Sequence, residues 1–257
     1  MNRIRHRLAF LLLLPLLAVS LKAQEPKAAA SPTAKDIDPL AMQVLKAVED
    51  PVLAAQAFSF KALIAEEELA SNDQIVTFFH TVDVTVQRPD KLHLTFRGKG
   101  QRVELYITKS IAAIYTPDSK LYATVPAKDT IDADLDALRA KGVDMPIGPF
   151  LRSNFYDMVA KLVDTGYVIG RVNIFDTEVH QLVFTSEDSD WQVWVTGGDA
   201  PRFVRAEVVN KQLEEKPRTT IQFLDWNLSP NVSADEFTFN KPADATEIQF
   251  MPVEGGN

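Results

Sequence analysis

The stretch Val76-Thr77-Phe78-Phe79-His80-Thr81-Val82-Asp83-Val84-Thr85-Val86 decides the fold of this chain. Apolar side chains, and His80 among them, occupy every second position from Val76 to Val86, and mostly polar side chains occupy the positions between. Successive side chains of a β-strand point to opposite faces, so this period of two indicates a long strand with one buried face. The stretch therefore predicts a sheet that lies on a core.

The same period recurs on both sides of this strand. Further strands are predicted at 58–64, 92–96, 103–107, 111–115, 121–125, 167–169, 172–175, 179–184, 191–195, 203–209 and 219–226. Their short, even spacing favours an antiparallel meander without parallel crossovers. A sheet of about 11–12 strands does not stay flat, so we expect it to curl into a half-open β-barrel.

Three amphipathic segments predict helices. The first begins at Asp38-Pro39, where an acidic cap precedes proline at the first helical position. The second follows Asp129-Thr130, and Gly142 ends it. The third, with Phe155 and Met158, follows a loop that contains two prolines. Together with the sheet, these helices place the chain in the α+β class, with an N-terminal helix and lid helices.

The segment Ser189-Asp190-Trp191-Gln192-Val193-Trp194-Val195 carries a tryptophan on each face of its predicted strand. A strand with water behind it should be apolar on one face only. We therefore expect both faces of the sheet to be covered in this region, one of them by the lid helices over a cavity.

The N-terminus has the pattern of a secretory signal peptide: a basic start from Met1 to Arg7, then a short apolar run from Leu8 to Ser20. We predict a signal peptide at 1–23, with cleavage after Ser20 or Ala23. A flexible linker at 24–36 and a single domain at 37–257 follow. The cysteine-free, exported chain fits the bacterial periplasm best.

The charge balance limits the partners. The formal net charge is −8, and loss of Arg3, Arg5 and Arg7 with the signal peptide makes it −11. Nucleic acid is therefore not expected as a partner, and the short apolar run argues against an integral membrane protein.

Several short motifs resemble those of a known protein family. Arg88-Pro89-Asp90-Lys91-Leu92 and the strand from Ile114 that ends in Tyr115-Thr116-Pro117 are similar to the LolA/LolB-like periplasmic proteins. The predicted periplasmic family catalogued as domain of unknown function 2092 is a closer match. Its pattern resembles Tyr122 to Pro126, Ile131 to Leu138, Asp190-Trp191-Gln192-Val193-Trp194 and Asp225-Trp226-Asn227.

The resemblance covers about Ile37 to Ile248. It implies a half-open β-barrel with a helical lid over a hydrophobic cavity, as in carriers of lipids or acylated proteins. The aromatic pattern and this resemblance together define the candidate cavity residues: Phe78, Phe96, Tyr115, Trp191 and Phe223 on the strands, and Leu135, Leu138, Phe155 and Met158 on the lid helices.

Other candidate sites have simpler interpretations. His80 and His180 are expected in the core and His93 on the surface, since no spacing brings them together as metal ligands. The run from Asp132 to Asp136 starts like a calcium loop, but Ala137 and Val143 occupy the positions that need glycine and glutamate. No catalytic motif, metal site or cofactor site is predicted.

These patterns favour a periplasmic, non-enzymatic protein that binds a hydrophobic or acylated ligand, either a lipid or a lipoprotein. One alternative is an interaction module of RseB type that senses envelope stress through a protein partner. A second is an uncharacterised enzyme. The sequence leaves the oligomeric state open.

Overall fold

The computed structural model describes residues 35–143 and 145–250. All strands in this part of the chain belong to one sheet of thirteen strands. The strands are β1 (Asp36–Ile37), β2 (Ala57–Leu69), β3 (Ile75–Gln87), β4 (Lys91–Gly98), β5 (Gln101–Ile107), β6 (Ile111–Thr116), β7 (Leu121–Pro126), β8 (Thr165–Ile174), β9 (Thr177–Thr185), β10 (Ser189–Thr196), β11 (Phe203–Asn210), β12 (Arg218–Asn227) and β13 (Thr246–Glu247).

The sheet is curved and does not close. Its order is β1-β8-β9-β10-β11-β12-β2-β3-β4-β5-β6-β7-β13. This confirms the predicted curved, half-open antiparallel sheet with helices. The two outermost strands are additions to the prediction: each has two residues and pairs in parallel, β1 with β8 and β13 with β7.

The predicted strands 167–169 and 172–175 are one strand, β8. Its pairing with β9 shifts between Val168 and Gly170, and Gly170 has a φ of 148°. A bulge at a glycine interrupts the apolar alternation there, which is why the pattern reads as two strands.

Three α-helices lie in the described chain: α1 (Pro39–Ala54), α2 (Ile131–Arg139) and α3 (Phe155–Leu162). The predicted caps are present, because Asp38 accepts a hydrogen bond from the Leu40 N–H and Thr130 accepts one from the Ala133 N–H. A 3₁₀ helix, Gly148–Leu151, joins α2 to α3. These elements cover one face of the sheet, which we call the inner face.

The strand register defines the inner face. Ile64 lies opposite His80 and opposite Ile221, and Ala206 lies opposite Val193, so these side chains share one face. The core forms where this face meets α1, α2, the 3₁₀ helix and α3. His80 is buried there as expected, whereas His180 is only partly buried.

The C-terminal segment, residues 228–248, covers the outer face of β4–β7. Its Phe239 contacts the rings of Tyr106, Tyr115 and Tyr122 at centroid distances of 5.8, 5.7 and 5.4 Å. His93 stacks on Tyr106 and lies 3.0 Å from the Glu236 carboxylate. The expected surface position of His93 is therefore met only in part: its side chain is 20% exposed, because a distant part of the chain packs over it.

The N-terminal predictions fall mostly outside the described residues. The signal peptide at 1–23 lies outside them, as does the linker up to residue 34. Lys35 and Asp36, the end of the predicted linker, belong to the folded part. The Lys35 ammonium group donates to the last carbonyls of α3, at Ala160 and Lys161, and Asp36 begins β1.

Candidate ligand-binding cleft

A cleft of about 630 Å³ lies between the inner face of the sheet and the segment from α2 to α3. Its sheet wall comes from β10, β11 and β12, with Glu66 of β2 at one side. Its helical wall comes from α2, the loop that follows, the 3₁₀ helix and α3. The helices predicted as a lid thus lie opposite β10, the strand that carries Trp191.

The sheet wall is mainly apolar. Trp191, Val208, Thr219 and Glu66 lie directly opposite one another on four adjacent strands and form one row across the cleft. With about 4.8 Å between neighbouring strands, this row is about 14 Å long. It runs from an aromatic ring at one end to a carboxylate at the other.

The helical wall combines apolar side chains with charged groups. Leu135 of α2 and Met158 of α3 line the cleft together with Met145 and Phe150 of the connecting segment. At its edge, the Arg152 guanidinium donates to the Asp136 carboxylate at 2.6 Å and ties the end of the 3₁₀ helix to α2. Arg139, in the last turn of α2, also lines the cleft.

A layer of phenylalanines supports this wall. The Phe150 ring lies 5.1 Å from the ring of Phe155, 5.2 Å from that of Phe203 and 4.9 Å from that of Phe223. Edge-to-face and stacked aromatic pairs at these distances add to the free energy of burial. The layer fixes the 3₁₀ helix to the sheet, and Phe150 is the member of the layer that lines the cleft.

Three of the nine candidate cavity residues line the cleft: Leu135, Met158 and Trp191. Leu138, Phe155 and Phe223 are buried in the adjoining core. Phe96 and Phe78 lie on the inner face but outside the cleft, where Phe96 stacks on His80 and Phe78 lies under the Lys99 ammonium group.

The assignment of Tyr115 to the cavity needs correction. Tyr115 lies opposite Glu104 and Tyr122 on the outer face, under Phe239. Strand β6 is apolar on both faces because the C-terminal segment packs on its outside. Alternation within Ile111–Thr116 therefore cannot tell which face of this strand is the inner one.

Sequence reasoning missed the connecting segment of the helical wall. Val143, Met145, Pro146, Gly148 and Pro149 line the cleft from a region without helical or strand periodicity. The one available signal was the pair Pro146 and Pro149, which predicts a loop but does not predict which side of the loop lines the cleft.

Glu66 and His80 form a polar pair at the Glu66 end of the row. His80 is 3% exposed, and neither ring nitrogen has a hydrogen-bond partner among the described residues. Its Nε2 lies 3.3 Å from a Glu66 carboxylate oxygen, close enough for an ion pair but not aligned for a hydrogen bond. On the other side the imidazole packs tightly on Gly98, since a Cβ there would lie 1.8 Å from Nδ1.

Two other buried carboxyl groups belong to the helical layer and do not line the cleft. Glu49 of α1 accepts the Tyr156 N–H at the start of α3, and burial raises the pKa of Glu49 although that hydrogen bond lowers it. Asp134 of α2 accepts the Lys128 N–H, and burial likewise raises the pKa of its carboxyl. Both groups join elements of the fold.

The acidic run that resembles a calcium loop has structural partners. Asp132 accepts hydrogen bonds from the Ser153 N–H, Asp134 is buried, and Asp136 pairs with Arg152. Within residues 35–143 and 145–250, no group of three or more histidine, aspartate or glutamate side chains is placed to hold a metal ion.

The fold and the cleft define a class: a curved, unclosed antiparallel sheet with a helical cover over a ligand-sized cleft. The chain belongs to the family described as predicted periplasmic protein (DUF2092), whose model matches residues 41–251. This membership confirms the family resemblance and the periplasmic location predicted from the sequence. None of the helices in the described part is long and apolar enough to cross a membrane.

Solved structures with similar folds share little sequence with this chain. The lipoprotein LppX of Mycobacterium tuberculosis is 12% identical, with 76% of this chain and 100% of that chain covered and a TM-score of 0.48. LprF from Mycobacterium bovis is 14% identical, with coverages of 83% and 100% and a TM-score of 0.48. The MucA/MucB complex of Pseudomonas aeruginosa is 14% identical, with coverages of 78% and 61% and a TM-score of 0.42. No curated protein matches the chain.

Proposed function

We propose that this protein is a periplasmic, non-enzymatic binding protein that holds a hydrophobic or acylated ligand, a lipid or the acyl part of a lipoprotein, in the cleft. The observation that carries the proposal is the cleft itself. It has about 630 Å³ of space between two largely apolar walls. Sites for small organic ligands usually measure about 300–1,000 Å³ and have this apolar character.

Burial of hydrocarbon supplies the binding free energy in this proposal. Each methylene group removed from water contributes about 0.8 kcal/mol. Trp191 and Val193 on the sheet wall and Leu135 and Met158 on the helical wall offer the apolar contacts. Because the helical wall is built from short elements and loops, its side chains can adjust to an inserted chain.

The non-enzymatic part of the proposal is supported by the positions of the carboxyl groups with raised pKa values. Catalytic carboxyl groups are often found in clefts with perturbed pKa values. Here Glu49 and Asp134 instead accept hydrogen bonds from the backbone N–H groups of Tyr156 and Lys128. These hydrogen bonds connect helices to neighbouring segments of the chain. Their burial has a structural purpose.

Native mass spectrometry tests this proposal. The mature protein is purified from a periplasm without detergent, and its mass is recorded before and after extraction with organic solvent. We expect a stoichiometric adduct that extraction removes and that added phospholipid or lipopeptide restores. An unchanged apo mass under all three conditions would contradict the proposal.

A second candidate function is a protein-interaction module of RseB type. It is favoured by apolar side chains on the uncovered outer face of β12, β2 and β3: Phe79 is 61% exposed, and Leu224 and Leu63 lie on the same face. Exposed apolar groups of this kind often mark protein interfaces.

The two candidates make different predictions for Phe79→Asp. If the outer face binds an envelope protein, this variant loses cross-links to that protein in periplasmic extracts and keeps its ligand adduct. If wild type and variant give the same cross-links, the interaction module is excluded at this face.

A further inference from the structure

We infer that the ligand carries a cationic, hydrogen-bond-donating end, such as a primary ammonium group on an acyl or alkyl chain, and that Glu66 binds this end. The inference rests on the proposed function, since it assigns the polar end of the ligand that the cleft would hold. Its basis is the state of the charged groups along the cleft.

Glu66 has no hydrogen-bonded partner among the described residues. Its carboxylate lines the cleft at the end of the row that starts at Trp191. Within residues 35–143 and 145–250, its one ionic neighbour is the buried His80, 3.3 Å away and not aligned for a hydrogen bond. By contrast, the other charged groups of the cleft are engaged: Arg152 pairs with Asp136 at 2.6 Å, Glu207 pairs with Arg218 at 3.4 Å, and Arg139 also has a partner. The acidic end of the row is therefore the polar end that a ligand can satisfy.

His80 strengthens the argument because neither of its buried ring nitrogens has a hydrogen-bond partner in the described part of the chain. A buried polar atom that lacks a hydrogen bond is costly, and such atoms in a native structure need an explanation. Its Nε2 atom lies 3.3 Å from the carboxylate of Glu66, behind the wall of the cleft that Glu66 lines. An ammonium group has three N–H donors and can donate to the Glu66 carboxylate from the cleft side, where no described residue donates to it.

The charge of the whole protein acts in the same direction. The chain has 35 acidic and 27 basic residues. A net negative protein attracts cations over distances beyond direct contact. The apolar row from Trp191 to Thr219 then receives the hydrocarbon, with the ammonium group at Glu66.

Calorimetric titration with three probes of equal chain length tests the inference. Delipidated mature protein is titrated with dodecylamine, dodecanol and dodecanoate, the two ionic probes below their micelle concentrations and dodecanol below its solubility limit. We expect dodecylamine to bind ~10-fold or more tightly than dodecanol, because hydrogen bonds to charged groups contribute more than neutral ones. Glu66→Gln should bring the two affinities to near parity.

Glu68→Gln is the matched control. Glu68 lies two residues further along the same face of β2 and pairs with Lys99 outside the cleft, so this variant should keep the preference for the amine. Equal binding of all three probes, a preference for dodecanoate, or an amine preference that survives Glu66→Gln would overturn the inference and leave the proposed function standing. No binding of any probe would overturn both.

Discussion

At the scale of single residues, the buried carboxyl of Glu49 shows how charge and structure interact in this fold. Glu49 takes the place of a side-chain cap for α3, because Asn154 at the cap position makes no such bond and the Tyr156 N–H donates to Glu49 at 2.9 Å. A carboxylate at a helix N-terminus is favoured by the backbone dipoles, but burial opposes its ionisation. The raised pKa shows that burial dominates.

This balance predicts a pH dependence. The unfolded chain loses the Glu49 proton first, so the stability associated with the neutral carboxyl is present below the ordinary pKa of 4.5 and is lost as the pH rises through the higher folded pKa. Glu49→Gln keeps an acceptor for Tyr156 and cannot ionise. We expect the free energy of unfolding of the variant to increase, relative to that of wild type, as the pH rises from 4 to 7. Urea unfolding at several pH values measures this difference.

Two further variants of α1 interpret that result. Glu49→Ala leaves the Tyr156 N–H without its acceptor and, because it cannot ionise either, should be about 1–3 kcal/mol less stable than Glu49→Gln at every pH. Gln43→Ala, on the exposed side of α1, changes no ionisable group and should differ from wild type by the same amount across this range. A constant difference between wild type and Glu49→Gln would contradict the assignment.

Gly98 gives a second prediction at this scale. A Cβ at this position would lie 1.8 Å from His80 Nδ1, so Gly98→Ala must displace a buried imidazole. Forced displacement of this kind costs ~1–3 kcal/mol. Thermal unfolding should show the loss, whereas Gly148→Ala, where the added Cβ meets no atom within 4 Å, should unfold close to wild type.

At the scale of elements, the strands were predictable, but for some strands the sequence did not show which side chains lie on the inner face of the sheet. In β3 the alternation of valine with threonine reflects a core on one side and solvent on the other, so sequence assigns both strand and face. In β6 both faces are covered, and Tyr115 could not be placed. The C-terminal segment that covers it is distant in sequence and has little periodicity, and no local pattern links the two.

The cleft was predictable only in part for the same reason. Leu135, Met158 and Trp191 lie on regular elements, where period gives direction. Met145 and Phe150 lie in an irregular segment and a single 3₁₀ turn, where it does not. Regular periodicity therefore revealed parts of two walls, and the space between them became visible only when the structure brought those walls together.

Strand β12 offers a matched pair of variants to test the cleft. Thr219 lines the cleft, and its neighbour Thr220 lies on the outer face opposite Glu207 and Ala65. Thr219→Trp should fill part of the cleft and lower the affinity for an alkyl probe at least ~10-fold, which corresponds to about 1.4 kcal/mol. Thr220→Trp should leave the affinity unchanged; equal losses in calorimetry would show that the effect is not steric occupation of the cleft.

At the scale of the whole molecule, the C-terminal segment is an integral layer of the fold. Phe237 is 1% exposed in the second 3₁₀ helix (Ala234–Phe237), which packs beside β4, and Lys120 and Tyr122 bond to residues near β13. At β4–β7 the fold therefore has three layers: the helical cover on the inner face, the sheet itself, and the C-terminal segment on the outer face.

This arrangement predicts a large effect for Phe237→Ala. Truncation of a fully buried phenylalanine usually costs about 3–5 kcal/mol. Denaturant unfolding should show this loss, and limited proteolysis should cut the variant first in residues 228–250. Phe79→Ala, on the exposed outer face, should stay within ~0.5 kcal/mol of wild type. A small loss for Phe237→Ala would mean that the segment contributes little to the stability of the fold.

The open seam of the sheet has a consequence for capacity. In a closed barrel, strand number and stagger fix the radius, so the lumen has one width. Here β8 and β7, with their two-residue companions β1 and β13, remain at opposite edges of the sheet. Small changes of twist at each strand pair can move these edges apart while every interstrand hydrogen bond stays intact. We therefore expect that, in the proposed binding function, changes of sheet curvature allow the cleft to hold alkyl chains of different bulk.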